Sequence, residues 1–149
     1  MDFAYLFTRS DGRINRKPFW MGILVMIAIS IVVIGLLAFT VGMVGRGAKI
    51  VVFIVQLLFL YPSYNLMVKR LHDRDRPDFF AIIMLAPALV NGLFDVLGIT
   101  GNPLNMGPLD YLLGIVQLGI GIWSLVELGC LRGTVGPNQH GPDPLQGQP

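Results

Sequence analysis

The chain has 149 residues, of which 54% are hydrophobic and 13% are charged, and its formal net charge at pH 7 is +2. A soluble domain of this length needs more polar residues to cover its surface, so the composition excludes an ordinary soluble protein. The lone cysteine, Cys130, excludes an intramolecular disulfide framework. We therefore expect one small membrane domain over residues 1–149.

Four apolar stretches approach or exceed the roughly 20 residues that a helix needs to cross a hydrocarbon core about 30 Å thick. None of the four contains Lys or Arg. This pattern predicts an all-α, polytopic membrane protein: a four-transmembrane-helix bundle with a short interfacial segment at its N-terminus. The predicted spans are residues 19–44, 50–68, 79–99 and 109–131.

Residues 1–18 combine an apolar beginning with a basic end. This composition is typical of a segment that lies at the level of the lipid headgroups before the first span. Asn15 is placed to cap that span, and Trp20 to lie at the membrane interface. Two interpretations of the basic residues remain open. Arg13 and Arg16 either anchor the chain on anionic lipid phosphates or form part of a site that recognises a headgroup.

The predicted loop between the second and third spans, residues 69–78, alternates basic and acidic side chains instead of accumulating positive charge. If the second helix continues beyond the membrane, Lys69 and Asp73 are spaced for an i,i+4 ion pair. Asp78 is the expected cap of the third helix. The loop is either a self-neutralising helical hairpin or the location of a site that contains His72 and Asp73.

The C-terminal tail, residues 132–149, is rich in Gly and Pro and has no hydrophobic periodicity. A composition of this kind is typical of a disordered segment. However, Gly136-Pro137-Asn138 and Gly141-Pro142-Asp143-Pro144 carry turn-forming residues at regular intervals. Consecutive tight turns that fold the tail back are therefore the alternative.

Two histidines and two carboxylates are predicted to lie on the same side of the membrane: His72, Asp73, His140 and Asp143. Such a set can bind a divalent metal, but its spacing resembles no known metal site. We therefore predict no metal and no cofactor.

The Lys and Arg residues are distributed unequally between the two sides of a four-helix topology. Arg46 and Lys49 fall on one side, and the other nine of the eleven fall on the opposite side. By the positive-inside rule, both termini are expected in the cytoplasm. The first span is longer than the roughly 7 to 15 apolar residues of a signal peptide, and no Ala-x-Ala site follows it, so cleavage is not expected. The nine residues are Arg9, Arg13, Arg16, Lys17, Lys69, Arg70, Arg74, Arg76 and Arg132.

Few polar side chains lie inside the predicted spans. Glu127, near the end of the fourth span, is expected to pair with Arg132 or Arg70 rather than to carry protons. Gln56 and Ser63 are seven residues apart and share a face of the second helix, where interhelical hydrogen bonds are expected. No charged residue falls at mid-bilayer, which weakens the alternative of a small transporter or channel.

Three blocks of sequence resemble a known family: GRINRKPFW (12–20), KRLHDRDRP (69–77) and GTVGPNQHGPDP (133–144). In this order, and separated by hydrophobic helices, they resemble the family of domain of unknown function 805, small bacterial inner-membrane proteins also called YhaH-like. The chain departs from the family pattern at residues 77–79 and at His140. The resemblance implies a location in the bacterial inner (plasma) membrane and a four-helix or similar bundle. It implies no activity, because the family has no established one.

We hypothesise that the motif residues of a non-enzymatic membrane protein bind anionic lipid headgroups or a partner protein, a second copy of the chain included. The alternatives are an enzyme acting on a lipid, with His72 and Asp73 as acid and base, and a buried network that only holds the helix ends together. Nucleic acid is not an expected partner, because the basic residues are membrane-adjacent and mixed with Asp. The candidate binding residues are Arg13, Arg16, Arg70, His72, Asp73, Asn138 and Asp143.

Overall fold

The computed structural model describes residues 2–40, 45–100 and 105–146. Within those ranges the chain forms helices joined by turns and contains no β-strand. The last long helix changes its winding near its end and continues as a π-helix over Leu125–Cys130. The helices are α1 (Phe3–Thr8), α2 (Arg16–Thr40), α3 (Arg46–Asp73), α4 (Phe79–Leu97) and α5 (Pro108–Ser124).

Among the described residues, four helices are long and apolar enough to cross a membrane: α2, α3, α4, and α5 with its π-helical continuation. The prediction of an all-α, four-helix membrane protein is confirmed. Most of their aliphatic side chains face outward, as expected of helices surrounded by lipid. Residues 41–44 of the predicted first span, residues 101–104 and residues 147–149 lie outside the described ranges.

Helix α3 extends beyond its predicted span and ends at Asp73, so the first half of the predicted loop is helical. Pro77 disfavours a helical conformation in the residue before it, and the chain turns at Asp75, whose φ is 55°. Asp78 stands at the start of α4 but makes no side-chain cap bond there. The predicted position of the cap is therefore confirmed, but its carboxylate binds His72 instead of the helix N–H groups.

The buried apolar core lies at one end of the bundle, where the beginnings of α2 and α4 meet the ends of α3 and α5. Helix α1 packs there against α3. Gly22 of α2 permits this close packing, since a Cβ on it would come within 2.8 Å of Leu66 and 3.1 Å of Leu6. The core residues are Leu6, Ile14, Phe19, Leu66, Val68, Leu71, Ala81, Met84 and Leu128. We call this end of the bundle the motif end, because residues 12–20, 69–77 and 133–144 all reach it.

Candidate functional site

The carboxylate of Asp73, in the last turn of α3, is the centre of the motif end. One of its oxygens accepts hydrogen bonds from Arg13 Nε at 3.3 Å and Nη2 at 3.1 Å, and the other accepts from Arg70 Nη1. The three side chains are 4%, 1% and 0% exposed, respectively. Two buried guanidinium groups therefore share one carboxylate. The remaining positive charge requires further acceptors, since an uncompensated buried charge is strongly unfavourable.

Carbonyl groups of the C-terminal tail supply the acceptors for Arg13. Its Nη1 donates to Gly136 O at 2.9 Å and to Gly141 O at 3.2 Å. Its Nη2 donates to Thr134 O at 2.8 Å and to Thr134 Oγ1 at 3.1 Å. The planar, multiply donating guanidinium suits this geometry, which a lysine ammonium does not reproduce. Arg13 therefore ties the tail to Asp73.

The tail is folded over residues 132–146 as a series of turns, which is the second of the two interpretations that its sequence allows. Thr134 N donates to Asp73 O at 2.8 Å, and Asn138 Nδ2 donates to His72 O at 2.9 Å. The carboxylate of Asp143 closes a turn by accepting from Gly136 N at 3.0 Å and from Leu145 N at 2.9 Å. The tail thus covers the Arg13–Asp73 ion pair.

The end of the π-helical continuation of α5, and the two residues after it, are held by side chains of α2, of α3 and of the turn that follows α3. The last carbonyls of a helix lack intrahelical partners and carry partial negative charge, so arginine and other N–H donors suit them. Here five successive carbonyls accept such bonds. In chain order, Leu128 O accepts from Arg70 Nε, Gly129 O from Trp20 Nε1, Cys130 O from Arg16 Nη1, Leu131 O from Arg70 Nη2, and Arg132 O from Arg74 Nη1.

The end of α1 is held in the same way by a row of side chains spaced four residues apart on α3. Tyr61 Oη donates to Thr8 O at 2.7 Å and Asn65 Nδ2 to Phe7 O at 2.8 Å. Lys69 Nζ donates to Tyr5 O at 2.5 Å and to Leu6 O at 2.7 Å. The predicted Lys69–Asp73 ion pair is therefore wrong. Two arginines already occupy Asp73, and the unpaired carbonyls of α1 attract the ammonium instead.

His72 links the N-terminal segment to the start of α4. Its Nδ1 lies 3.0 Å from Gly12 O and its Nε2 lies 2.6 Å from Asp78 Oδ1. The ring of His140 stacks on that of His72, with centroids 3.8 Å apart and planes 9° apart. Within the described ranges, no three His, Cys, Asp or Glu side chains are grouped closely enough to hold a metal ion.

The docked tail is expected to loosen as the pH falls. Burial first, and then the charge of His72, lowers the pKa of His140, while Asp75 and Asp78 oppose the shift and Arg13 adds to it. Because the folded state binds this proton less readily than the unfolded chain, docking is fully stable above about pH 6.5 and weakens below it. Amide hydrogen exchange of residues 134–146 between pH 7.5 and 5 measures this, after correction for intrinsic exchange.

The pKa of Asp143 separates the effect of His140 from that of the tail's carboxyl group. Backbone N–H groups of Leu145 and Gly136 lower the pKa of Asp143, so its turn is lost only at pH values below the ordinary range of a carboxylate. A His140→Gln variant should therefore lose the pH dependence near neutrality and keep the acidic one. An unchanged exchange profile in that variant would assign the transition to another group.

Glu127, in the π-helical segment, pairs with residues of the connection between α3 and α4. Its Oε1 lies 3.1 Å from Arg74 Nε and 3.5 Å from Arg76 Nε. The predicted pairing with Arg132 or Arg70 is therefore wrong. Arg70 is directed at Asp73 and at the α5 carbonyls, and the guanidinium of Arg74 reaches Glu127 across the end of the bundle.

Of the seven candidate binding residues, the structure brings six together in the motif end and the tail docked on it: Arg13, Arg70, His72, Asp73, Asn138 and Asp143. Arg16 is exposed at the rim of the motif end. Together with Asn15, Arg132 and Gly133 it lines a shallow groove beside the docked tail. Trp20, Lys69 and Thr134 also belong to the hydrogen-bonded network, and their bonds were not predicted from the sequence. The spacing of Tyr61, Asn65 and Lys69 on one helical face was the available signal for Lys69.

Most residues of the motif end lie in the part of the chain that is similar to known proteins. A family model described as "Protein of unknown function (DUF805)" matches residues 7–142. The chain belongs to the DUF805 family. The first two sequence blocks of the motif end and residues 133–142 of the third lie inside the matched region, which includes Arg13, Asp73 and the tail carbonyls that bind Arg13.

Two DUF805 relatives from Escherichia coli (strain K12) are similar to this chain. The uncharacterised protein YiiR is 31% identical over 134 residues, which cover 89% of this chain and 83% of YiiR. The inner membrane protein YhaH is 38% identical over 77 residues, which cover 51% of this chain and 63% of YhaH. No solved structure matches the chain. With its apolar helices, this DUF805 protein is a membrane protein whose activity is unknown.

Proposed function

We propose that this DUF805 protein binds anionic phospholipid headgroups through Arg16 and Arg132, at the rim of the motif end. One observation carries the proposal. The N–H groups of the buried Arg13 and Arg70 bind acceptors inside the protein, whereas Arg16 and Arg132 are exposed. Within the described residues the Arg16 guanidinium makes one hydrogen bond, to Cys130 O at 3.1 Å. It keeps free N–H groups for a phosphate, with which a guanidinium pairs in bidentate fashion.

The other candidate residues then position the rim rather than touch the ligand. Arg70, together with Trp20, holds the π-helical continuation of α5, which ends at Cys130, two residues before Arg132. The indole of Trp20, bound to Gly129 O at 3.2 Å, also suits the depth of the membrane interface. A basic side chain near an anionic membrane surface contributes about 1 kcal/mol to its attraction. The buried network therefore supports the proposal by fixing two exposed arginines at the membrane surface.

Variants in which glutamine replaces one arginine test this function through the amount of lipid that the protein retains. The full chain is reconstituted in nanodiscs of mixed phosphatidylcholine and phosphatidylglycerol, washed with detergent, and the retained phospholipid is measured by native mass spectrometry. Arg16→Gln and Arg132→Gln are each expected to reduce retained phosphatidylglycerol about fivefold. Arg9→Gln is the matched control, because Arg9 is exposed and pairs with Asp11 away from the groove. Equal retention by all three variants, or retention of phosphatidylcholine instead, would contradict the proposal.

We further propose a multi-pass topology with both termini in the cytoplasm. The charge asymmetry supports it, since Arg46 and Lys49 contrast with nine basic residues in the other segments. Cys130 is an exposed native label at the motif end. A membrane-impermeant maleimide should react with it only after cells are opened, whereas Arg46→Cys in a Cys130→Ala background should react in intact spheroplasts. The opposite pattern would place the termini outside.

A further inference from the structure

A cavity of about 400 Å³ lies between α2 and α3 and extends along them from Ile23, which packs against the core of the motif end, to Leu37. Its volume falls in the range of small-molecule sites, roughly 300–1,000 Å³. Aliphatic, Met and Phe side chains form most of its wall, and none of the described residues that line it is charged. Three polar side chains also line it: Ser30 from α2, and Gln56 and Ser63 from α3. These lining residues all belong to the apolar parts of α2 and α3, which are candidate membrane spans, so the cavity lies within the membrane.

The polar groups of the cavity have unused hydrogen-bonding capacity. A serine inside a membrane helix can donate to a carbonyl of the preceding turn, as Ser124 does to Ile120 O at 2.8 Å. Among the described residues, Ser30, Gln56 and Ser63 make no hydrogen bond of this or any other kind. The interhelical hydrogen bonds expected of Gln56 and Ser63 are therefore not formed. Gln56 lines the cavity, and its Oε1 lies against Gly92 of α4.

The apolar, uncharged wall and the three unpaired polar side chains together indicate which kind of molecule the cavity can bind. A lipid acyl chain would fill the space but leave an amide and two hydroxyl groups unpaired in hydrocarbon, which is unfavourable. A charged molecule would lack a counter-charge, since the wall is neutral. Hydroxyl and carboxamide groups both donate and accept, so they suit a carbonyl or hydroxyl group on an apolar body.

We propose that the α2–α3 cavity binds a neutral, membrane-soluble molecule that carries a carbonyl or hydroxyl group. Gln56, Ser30 and Ser63 provide its polar contacts, and the aliphatic wall contacts its apolar body. This site is separate from the basic rim, and neither proposal depends on the other.

Photolabelling with 3-azioctanol tests the cavity, because this probe is neutral, lipid-soluble and carries one hydroxyl group. The full chain in nanodiscs is irradiated over a range of probe concentrations, and adducts are mapped by peptide mass spectrometry. Adducts are expected on cavity residues such as Ile34 and Phe59, saturating with concentration. Gln56→Leu should raise the half-saturating concentration about fivefold to tenfold, as expected for the loss of one hydrogen bond.

Matched variants in α5 serve as controls for folding and for non-specific labelling. Gln117→Leu and Ser124→Ala make the same kinds of change outside the cavity, and they should label as the wild type does. Ser30→Ala and Ser63→Ala should weaken labelling in the same direction as Gln56→Leu. Adducts spread evenly over outward-facing residues such as Leu58 and Leu118 would overturn the proposal. Saturation that is equal in Gln56→Leu and Gln117→Leu would also overturn it, because acyl chains alone would then fill the space.

Discussion

Replacing Asp73 by Asn is expected to lower the free energy of unfolding by about 3–5 kcal/mol, the usual cost of removing one partner from a buried ion pair. Asp73 uses both carboxylate oxygens, one for Arg13 and the other for Arg70. An asparagine offers one oxygen and one NH₂ group, so an arginine would face another donor. Both guanidinium groups would also remain buried without a counter-charge. Denaturation of the purified protein in mixed micelles, followed by circular dichroism, measures the change.

The control for this substitution is Asp75→Asn, two residues further along the chain. Asp75 is exposed and has a φ of 55°, a conformation that asparagine adopts readily. Its replacement should change stability by no more than about 0.5 kcal/mol. If the two variants unfolded alike, Asp73 would not be the counter-charge that the network requires.

Replacing Gly133 by Ala is expected to release the tail from the motif end. A Cβ at this position would overlap the Asp73 carboxylate, which cannot move without breaking its bonds to Arg13 and Arg70. Overpacking of this kind typically costs about 1–3 kcal/mol. Gly133 is not in the left-handed backbone region, so the effect would come from the contact and not from backbone strain. Limited proteolysis should cleave residues 134–146 faster than in the wild type.

Gly114→Ala is the matched control, because a Cβ there meets no atom within 4 Å. It should leave the proteolysis rate of the tail unchanged. Comparing Asp73→Ala with Asp73→Ala/Gly133→Ala separates contact from charge: the overlap is absent in both proteins, so Gly133→Ala should no longer speed the proteolysis of the tail. Equal proteolysis of Gly133→Ala and wild type would show that the tail does not depend on its close approach to Asp73.

The helices of this protein follow from its sequence because length and apolarity alone specify membrane-crossing segments. Asn15 was also predictable as a cap, and its Oδ1 accepts from Lys17 N at 3.0 Å. The order of the folded tail was not predictable. Its Gly and Pro content is typical of disorder, and the bonds that fold it come from Arg13, which is more than 120 residues away in the chain.

Pairings among the charged residues were the least predictable feature. Helical spacing brings Lys69 and Asp73 onto one face, but it does not reveal which other acceptors and donors arrive from α1, α2 and the tail. Asp73 is taken by Arg13, and Lys69 by the carbonyls of α1. Glu127 likewise pairs with Arg74 because the π-helical segment lies beside the end of α3. Local spacing limits the candidates, whereas tertiary packing selects among them.

The arrangement around Asp73 also constrains the order in which the protein is assembled. Arg13 precedes Asp73 by 60 residues and Thr134 follows it by 61, yet all three meet in one hydrogen-bonded group. Contacts between such distant segments form late, because the chain between them must first be ordered. The helices can therefore enter the membrane one after another while the motif end stays open. Until the tail docks, Arg13 lacks the carbonyl acceptors of Thr134, Gly136 and Gly141 and depends on Asp73 alone.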